Sequence, residues 1–340
     1  MLFVIVKVIL IIREMHRVCN IFVETEVMKM GILYNVPDFK TWGFMAFVLL
    51  ALIAFNELGR TKKWGGILLF VIVPVFLTIA VWPTTAAPGN EYGTGNWFNW
   101  VKTYSALAGC IGFMLIRYIP KVEQSKFAKY FPPLILAANI CEAVLRDFQV
   151  YSWGLTEGGY VDNLWTISGP WNIMNGIAGI FNILLICGWS GIFVSKDNSR
   201  DMMWPDMDWI YILTYDLWNF AYTYNCISDH SVYCGMLLLL SCTIPAFFIK
   251  RGCWLQHRAQ TLALWIMFIM TVPTFADRVA PVPTTHNPTA FFIVSLLALV
   301  SNAGLFIYQV YVIRKNKKNP LKDELYVDTT NYKKIMEQNA

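Results

Sequence analysis

The amino-acid sequence predicts an all-α, polytopic transmembrane bundle of about nine helices with its C-terminus in the cytoplasm. Three observations predict this fold class. The 340-residue chain is 56% hydrophobic and only 14% charged, whereas a soluble chain carries about 25% charged residues. The apolar residues form regularly spaced runs that approach the length of a bilayer crossing. Lys and Arg collect in alternate connections between those runs, as in cytoplasmic loops.

Two terminal segments flank the predicted membrane domain. Residues 1–12 are apolar but short for a bilayer crossing, Arg13 and Arg17 follow them, and Met28 and Met30 are typical of a natural start. The first segment is therefore either an extension upstream of the native start or an additional membrane-associated helix. We divide the chain into this N-terminal extension, a single transmembrane domain and a polar, flexible cytoplasmic tail, at residues 1–29, 30–313 and 314–340.

Nine apolar runs carry the prediction of the transmembrane domain. A helix needs roughly 20 residues to cross the hydrocarbon core, and no long polar segment interrupts the series. We predict spans at residues 42–58, 64–82, 98–119, 131–151, 170–194, 206–226, 231–250, 259–276 and 288–313.

Basic residues in the connections predict the orientation. The loops at residues 83–97, 152–169, 227–230 and 277–287 contain no Lys and a single Arg, Arg278. The positive-inside rule therefore places the opposite loops in the cytoplasm and the residues near Val36 outside. The cytoplasmic set consists of Arg60, Lys62, Lys63, Arg117, Lys121, Lys126, Lys129, Lys196, Arg200, Lys250, Arg251, Arg258 and the basic residues after 313.

The net charge of +5 does not indicate a nucleic-acid partner. The basic residues lie between apolar runs, and neither an aromatic-basic ribbon nor a zinc-finger spacing accompanies them. The expected partners are the lipid bilayer and an unknown small molecule, with no nucleic acid.

Polar residues follow one face of the predicted span 131–151. Asn139, Glu142 and Arg146 are spaced by three and four residues, and Asp147 lies on a neighbouring face. Glu142 and Arg146 have the spacing of a favourable i,i+4 ion pair. Ionisable residues within spans are costly and usually face a bundle interior or a cavity.

The span 170–194 carries amides beside small residues. Asn172 and Asn175 lie near its start, and Gly176 and Gly179 follow them. Glycine lets helices approach closely in membranes. We therefore expect this helix to pack tightly against a neighbour.

In the span 206–226, Asp216, Asn219 and Thr223 lie on one face, and Tyr215, Asn219 and Tyr222 lie on an overlapping one. This helix has no basic residue near Asp216, so the partner of its carboxylate must come from another helix. Lys102 and Arg146 are the candidates.

The polar residues of several spans fall between mid-membrane and the outer face. Two interpretations stay open: a network that only ties helices together, and a polar cavity open to the outside. The number of groups favours the cavity. The candidate cavity consists of Lys102, Tyr104, Asn139, Glu142, Arg146, Asp147, Asn172, Asn175, Asp216, Asn219, Tyr222, Asp277 and Arg278.

The sequence lacks the motifs of several chemistries. None of the four His lies deep in a predicted span, and the sequence contains no HExxH, Walker A or GxGxxG motif. We therefore predict no metal and no cofactor.

Three segments carry a family resemblance: GPWNIMNGIAGIFNI (169–183), YDLWNFAYTYNC (215–226) and TIPAFFIKRGCWLQHRAQTLALW (243–265). In them the chain resembles an uncharacterised family of bacterial multi-pass membrane proteins, catalogued as a domain of unknown function. The likeness extends from about residue 40 to about residue 320 and leaves out the N-terminal 30. It implies a protein of the bacterial plasma (inner) membrane and supplies no activity or substrate.

Three functions fit this pattern, and the sequence leaves open whether the protein is an enzyme. The first is a transporter or permease for a small polar solute. The second is a membrane-embedded enzyme that acts on a lipid or isoprenoid, with Glu142 or Asp216 as the general acid. The third is a non-catalytic membrane sensor or assembly partner in which the polar network is structural.

Overall fold

The computed structural model describes residues 30–162 and 164–339, so the predicted N-terminal extension at residues 1–29 lies outside the described residues. Within the described chain, nine long helices follow one another in the order of the predicted spans. Their bounds are α1 Phe39–Thr61, α2 Lys63–Ala80, α3 Trp97–Tyr118, α4 Phe131–Ser152, α5 Pro170–Leu184, α6 Trp209–Cys226, α7 Val232–Phe248, α8 Trp254–Thr271 and α9 Pro288–Asn316.

Short elements connect these helices, and α2 and α7 each contain a π-helical segment, at Leu68–Ile72 and Val232–Leu237. Two antiparallel strand pairs lie in the connections, β1 (Gly159–Val161) with β2 (Leu164–Thr166) and β3 (Phe193–Val194) with β4 (Met202–Met203). Single helical turns lie at Met30–Ile32, Trp82–Thr85, Pro120–Glu123, Lys126–Tyr130, Trp189–Gly191, Ser228–His230 and Phe275–Val279.

Two predicted spans differ from the helices that form. The predicted span 170–194 is too long, because α5 ends at Leu184 and the left-handed residue Gly188 (φ +66°) turns the chain towards β3. At 1.5 Å per residue the helix is only about 22 Å long. The predicted start at residue 259 is too late, because α8 begins at Trp254.

Four helical segments of the described chain are long and apolar enough to cross a membrane: Phe39–Thr61, Lys63–Ala80, Lys126–Ser152 and Pro288–Asn316. The shorter helix α7 is also apolar. The other four long helices are shorter or carry more polar side chains. Those four contribute most of the polar groups described below.

The connections meet at two opposite ends of the bundle. At one end, Arg60 forms an ion pair with Asp201, and Lys250 with Asp197, so three of the predicted basic connections are in contact. At the other end, the loops around residues 160 and 280 meet, and the Trp165 and His286 rings stack 3.5 Å apart. We call these the basic end and the opposite end.

Residues 314–339 are folded against the basic end, so the expectation of a flexible tail is wrong. The Asp206 carboxylate accepts the N–H groups of Leu325 and Tyr326, both at 2.8 Å. Helix α10 (Thr330–Asn339) buries Ile335 in a small apolar cluster. The sequence pattern missed this docking because the tail is polar overall and holds only isolated apolar residues.

Small residues allow the close packing of α4, α5 and α6 that the sequence predicts. A Cβ atom at Gly179 would lie 2.4 Å from Val144 Cγ2 and 2.7 Å from Trp218 Nε1. A Cβ atom at Gly176 would lie 2.8 Å from the Phe148 ring. The close approach brings the polar faces of these helices together.

Candidate functional site

Lys102 and Glu142 form an ion pair between α3 and α4. The Lys102 Nζ atom lies 3.0 Å from Glu142 Oε2 and donates to the Asn139 carbonyl oxygen at 2.9 Å. The Ser105 hydroxyl approaches the same carboxylate oxygen at 3.3 Å. Both charged side chains are largely buried, with 10% and 15% of their surface exposed. The predicted i,i+4 pair of Glu142 with Arg146 on α4 is not formed, because the Glu142 carboxylate pairs with Lys102 instead.

Arg146 turns away from Glu142 and towards the opposite end of the bundle. Its Nη1 atom donates to Gln149 Oε1 at 2.9 Å, and its Nη2 atom lies 3.9 Å from Asp162 Oδ2. Its guanidinium lies over the Trp153 ring at 4.7 Å. Arg146 therefore connects α4 to the loop that contains β1 and β2.

Asp147 is the centre of a buried amide cluster between α4, α5 and α6. Its carboxylate accepts from Asn175 Nδ2 at 2.7 Å and from the Cys226 thiol at 3.3 Å. Asn172 lies beside it and uses its own oxygen to accept the N–H of Gly169 at the start of α5. Asp147, Asn172 and Asn175 therefore meet in this cluster, apart from the pair that Lys102 forms with Glu142.

Asp216 has no cationic partner in hydrogen-bonding contact. Its Oδ2 atom accepts from the Thr243 hydroxyl of α7 at 2.7 Å, and its buried Oδ1 atom has no partner among the described residues. Neither Lys102 nor Arg146 pairs with it, so the predicted partners are wrong.

Arg258 is the functional candidate that the sequence pattern missed. The charge pattern places it in a cytoplasmic loop, but α8 begins before it and buries it in the bundle, with 5% of its surface exposed. Its guanidinium donates to Asn219 Oδ1 at 3.2 Å and approaches the Tyr215 hydroxyl at 3.4 Å. Its Nη1 atom has no partner, and Arg258 forms no ion pair in the described part of the chain. Its spacing of three and seven residues from Thr261 and Trp265 was the available signal.

Two small cavities flank Arg258. The larger, of about 70 Å³, extends from Lys102 and Arg258 to His230 near the opposite end. The smaller, of about 30 Å³, is lined by Arg258 together with Ser105 and Asn139. Spaces of this size and polarity can hold water molecules. No Asp or Glu appears among the described residues that line either cavity.

Unpartnered polar atoms face this region. Tyr222 lines the larger cavity, and its buried hydroxyl has no hydrogen-bond partner among the described residues. Asn139 lines the smaller cavity, and its buried Oδ1 atom also has no hydrogen-bond partner among them. Buried polar groups are normally satisfied. The cavity walls therefore contain both hydrogen-bond donors and an acceptor that a bound solute could use.

The family model described as "Family of unknown function (DUF5692)" matches residues 36–338. The chain belongs to this family. No curated protein and no solved structure matches the chain. The expected resemblance to a domain-of-unknown-function family is thereby confirmed, and the family region includes the folded tail as well as both polar clusters.

Aromatic, His and Asp residues lie at the mouth of the larger cavity in this family member. His230 Nε2 lies 2.6 Å from Asp277 Oδ1, which joins the turns after α6 and α8. Arg278 lies over the Tyr92 ring at 5.2 Å, and Tyr92 also lines the cavity. Asp277 and Arg278 therefore lie at the mouth rather than inside.

Tyr104 does not belong to the cavity, contrary to the sequence-based interpretation. Its side chain is 43% exposed on the outside of the bundle. Its hydroxyl lies 3.0 Å from the Thr78 hydroxyl of α2, and its ring stacks on Trp100.

The basic end is tied by a second ion-pair network. The Asp201 carboxylate accepts a hydrogen bond from Arg60 and another from Gln256 Nε2 at 2.9 Å, and it lies 3.7 Å from Arg117 Nη2. Glu57 pairs with Arg60 at 2.7 Å near the end of α1. These buried contacts join the basic connections beneath the cavity region.

Proposed function

We propose that the chain is a multi-pass protein of the bacterial plasma (inner) membrane in which all nine long helices cross the bilayer. In this arrangement the basic end and the C-terminal tail face the cytoplasm. The separation of the connections into two ends supports a consecutive up-and-down path, and the basic residues of one end support the orientation.

We further propose that the protein is a permease for a small anionic solute. The observation that carries this proposal is the buried Arg258, which has an unpartnered N–H group and no carboxylate within ion-pair distance among the described residues. A buried cation is costly unless an anion pairs with it. A solute anion beside Arg258 would supply that partner.

The charge around the cavity favours an anion over a cation. Glu142 pairs with Lys102, and the buried Asp216 is close enough to Arg258 to attract it without contacting it. Of these groups, the two cations Lys102 and Arg258 line the cavity and neither carboxylate does. A guanidinium binds the planar oxygens of a carboxylate, or those of a phosphate, through paired hydrogen bonds. The small volume favours a compact solute and a closed state of the site.

The lipid-modifying enzyme is less well supported. General acid catalysis needs a carboxylic acid that faces the substrate. Glu142 is engaged with Lys102, and neither Glu142 nor Asp216 is among the residues that line the cavities.

A cysteine accessibility scan tests the site and its access. The eight natural cysteines would be replaced, and single cysteines would be placed at Lys102, Asn219 and, as a dry control, the fully buried Ala178. A membrane-impermeant thiol reagent would be applied to either side. Labelling of the two cavity positions from both sides supports a permease. Labelling from neither side contradicts a solute site, and labelling from the outside alone contradicts alternating access.

Arg258 variants test the anion chemistry. The thermal unfolding midpoint of the purified chain would be measured with acetate, succinate, phosphate and chloride, at constant ionic strength. We expect a saturable increase with at least one oxyanion, its loss in Arg258→Gln and its partial retention in Arg258→Lys. An equal response of the wild type and Arg258→Gln to every anion would refute the proposal.

A further inference from the structure

We propose that the cavity between the folded tail and helices α6 and α9 binds the headgroup of a zwitterionic phospholipid that carries a phosphoethanolamine group. The cavity has a volume of about 420 Å³ and lies at the basic end. The start of α6, the second half of α9 and the tail line it, through residues such as Asp208, Tyr308 and Asn331. The proposal rests on the proposed membrane topology, which places this end at the cytoplasmic surface of the bilayer, and not on the permease proposal.

The first argument is the charge of the lining. Among the described residues that line this cavity, the charged ones are two carboxylates and two cations: Asp206, Asp208, Arg251 and Lys334. A headgroup with one phosphate and one ammonium carries charges complementary to both kinds of group. A purely anionic headgroup would meet the carboxylates without compensation. The charge balance of the cavity therefore favours a zwitterion.

The second argument is the supply of free acceptors for an ammonium group. The Asp206 carboxylate is occupied by two N–H groups of the tail. Asp208 Oδ1 accepts from the Trp209 N–H and from Asn331 Nδ2, both at 2.7 Å, whereas Asp208 Oδ2 accepts no hydrogen bond from the described residues. The buried hydroxyl of Tyr211, which also lines the cavity, has no partner among them. A primary ammonium with its three N–H donors can use both oxygens.

Arg251 is the group that fits the phosphate. Its Nε atom donates to the Phe247 carbonyl oxygen at 3.1 Å, and its guanidinium forms no ion pair with the described residues. Its side chain is exposed, and so is that of Lys334 on the other side of the cavity. A guanidinium binds phosphate oxygens through paired hydrogen bonds, and basic pockets at the cytoplasmic surface bind lipid headgroups.

The third argument is an apolar space that adjoins the headgroup cavity. It has a volume of about 390 Å³, shares Trp209 and Arg251 with the first cavity, and is also lined by Ile212, Phe247 and Phe248. The side chains of Trp209 and Phe248 are 50% and 61% exposed. Exposed aromatic rings at a membrane interface lie at the level where headgroups meet acyl chains. A polar cavity that continues into an apolar one matches a whole phospholipid rather than a water-soluble molecule.

Native mass spectrometry of the full chain tests the lipid selectivity. The chain, purified in detergent and stripped of lipid, would be mixed with phosphatidylethanolamine, phosphatidylcholine or phosphatidylglycerol of identical acyl chains. Phosphatidylcholine is the matched control, because its methylated ammonium has no N–H donor. We expect phosphatidylethanolamine to be retained about tenfold better than either of the others. Equal retention of the three lipids, or a preference for phosphatidylglycerol, would overturn the proposal. Glycerophosphoethanolamine, which has no acyl chains, should bind more weakly, and equal binding would refute a lipid as the ligand.

Matched variants locate the headgroup. Arg251→Gln should reduce the binding of phosphatidylethanolamine about tenfold, whereas Lys333→Gln, exposed at the same end but outside the cavity, should not. Asp208→Asn keeps an oxygen that can cap α6 and should remove the preference for phosphatidylethanolamine over phosphatidylcholine. An unchanged preference in Asp208→Asn, or equal losses in Arg251→Gln and Lys333→Gln, would contradict the assigned contacts.

Two controls separate this proposal from the proposed function. Arg258→Gln should keep the lipid selectivity, because Arg258 does not line either of these cavities. Membranes that contain the wild-type chain would also be washed at alkaline pH. Release of the chain would refute the membrane topology and the lipid site together, whereas a retained chain without lipid selectivity would refute the lipid site alone.

Discussion

The ion pair between Lys102 and Glu142 allows a quantitative test of how the polar interior is held together. Lys102→Met leaves the Glu142 carboxylate with only the Ser105 hydroxyl at 3.3 Å. Glu142→Gln leaves the ammonium with the Asn139 carbonyl oxygen at 2.9 Å. Each single change therefore leaves one charge without its counter-ion.

The expected size of the effect follows from the geometry. Two unit charges 3.0 Å apart attract by about 5 kcal/mol at an effective dielectric constant of about 20, before desolvation is subtracted. Loss of one partner of a buried pair costs about 3–5 kcal/mol. Because both side chains retain some exposure, we expect about 3 kcal/mol for each single variant.

The double variant Lys102→Met with Glu142→Gln should be less destabilised than the sum of the two single variants. Replacement of both charges removes the stranded ion, so the coupling free energy should be about 2 kcal/mol or more. The assay is reversible unfolding of the purified protein in mixed micelles, followed by far-UV circular dichroism. Additive effects of the two substitutions would refute the reasoning that the pair is buried and mutually compensating.

Three further outcomes follow from the packing and the charged loops. Gly179→Val should lower the unfolding free energy by about 2 kcal/mol or more, because its Cβ would lie 2.4 Å from a neighbouring side chain. A Cβ at Gly304 would meet nothing within 4 Å, so Gly304→Ala should be neutral in the same unfolding assay. Ile335→Asp should expose the tail to limited proteolysis, whereas Lys334→Asp, at the exposed neighbouring position, should not. Equal cleavage of the two variants would contradict docking of the tail by Ile335. Burial raises the pKa of Asp197, but hydrogen bonds from Lys250 and two serines outweigh it and hold that pKa below its usual range. The stabilisation is therefore present above about pH 4 and lost as the pH falls further. Asp197→Asn should therefore reduce the acid-induced loss of unfolding free energy, by up to about 1 kcal/mol for this half-exposed group.

The sequence pattern located the helices well because apolar periodicity and capping are local properties. Asp38 accepts the N–H of Thr41 at 2.7 Å at the start of α1, and Asp208 accepts the N–H of Trp209 at 2.7 Å at the start of α6. The boundaries failed where the local signal was mixed. The segment around Gln256 and Arg258 is polar, yet α8 includes it because the surrounding helices bury those side chains.

The choice of partner was the least predictable property of the site. A spacing of four residues brings Glu142 and Arg146 onto one helix face, but it does not exclude a better partner on another helix. Lys102 provides that partner because α3 packs beside α4. Tyr104, only two residues further along α3, points to the outside instead.

The sequence by itself determined the helical class, the order of nine long helices, the segregation of basic connections and the family to which the chain belongs. These properties depend on composition and local periodicity, which each segment carries alone. The tertiary structure decided that Lys102 pairs with Glu142, that Asp147 meets the amides of α5 and α6, and that no carboxylate among the described residues contacts Arg258. Those outcomes depend on which helices are neighbours and on how each helix is rotated about its axis. Side-chain packing between segments that are distant in the sequence determines both properties.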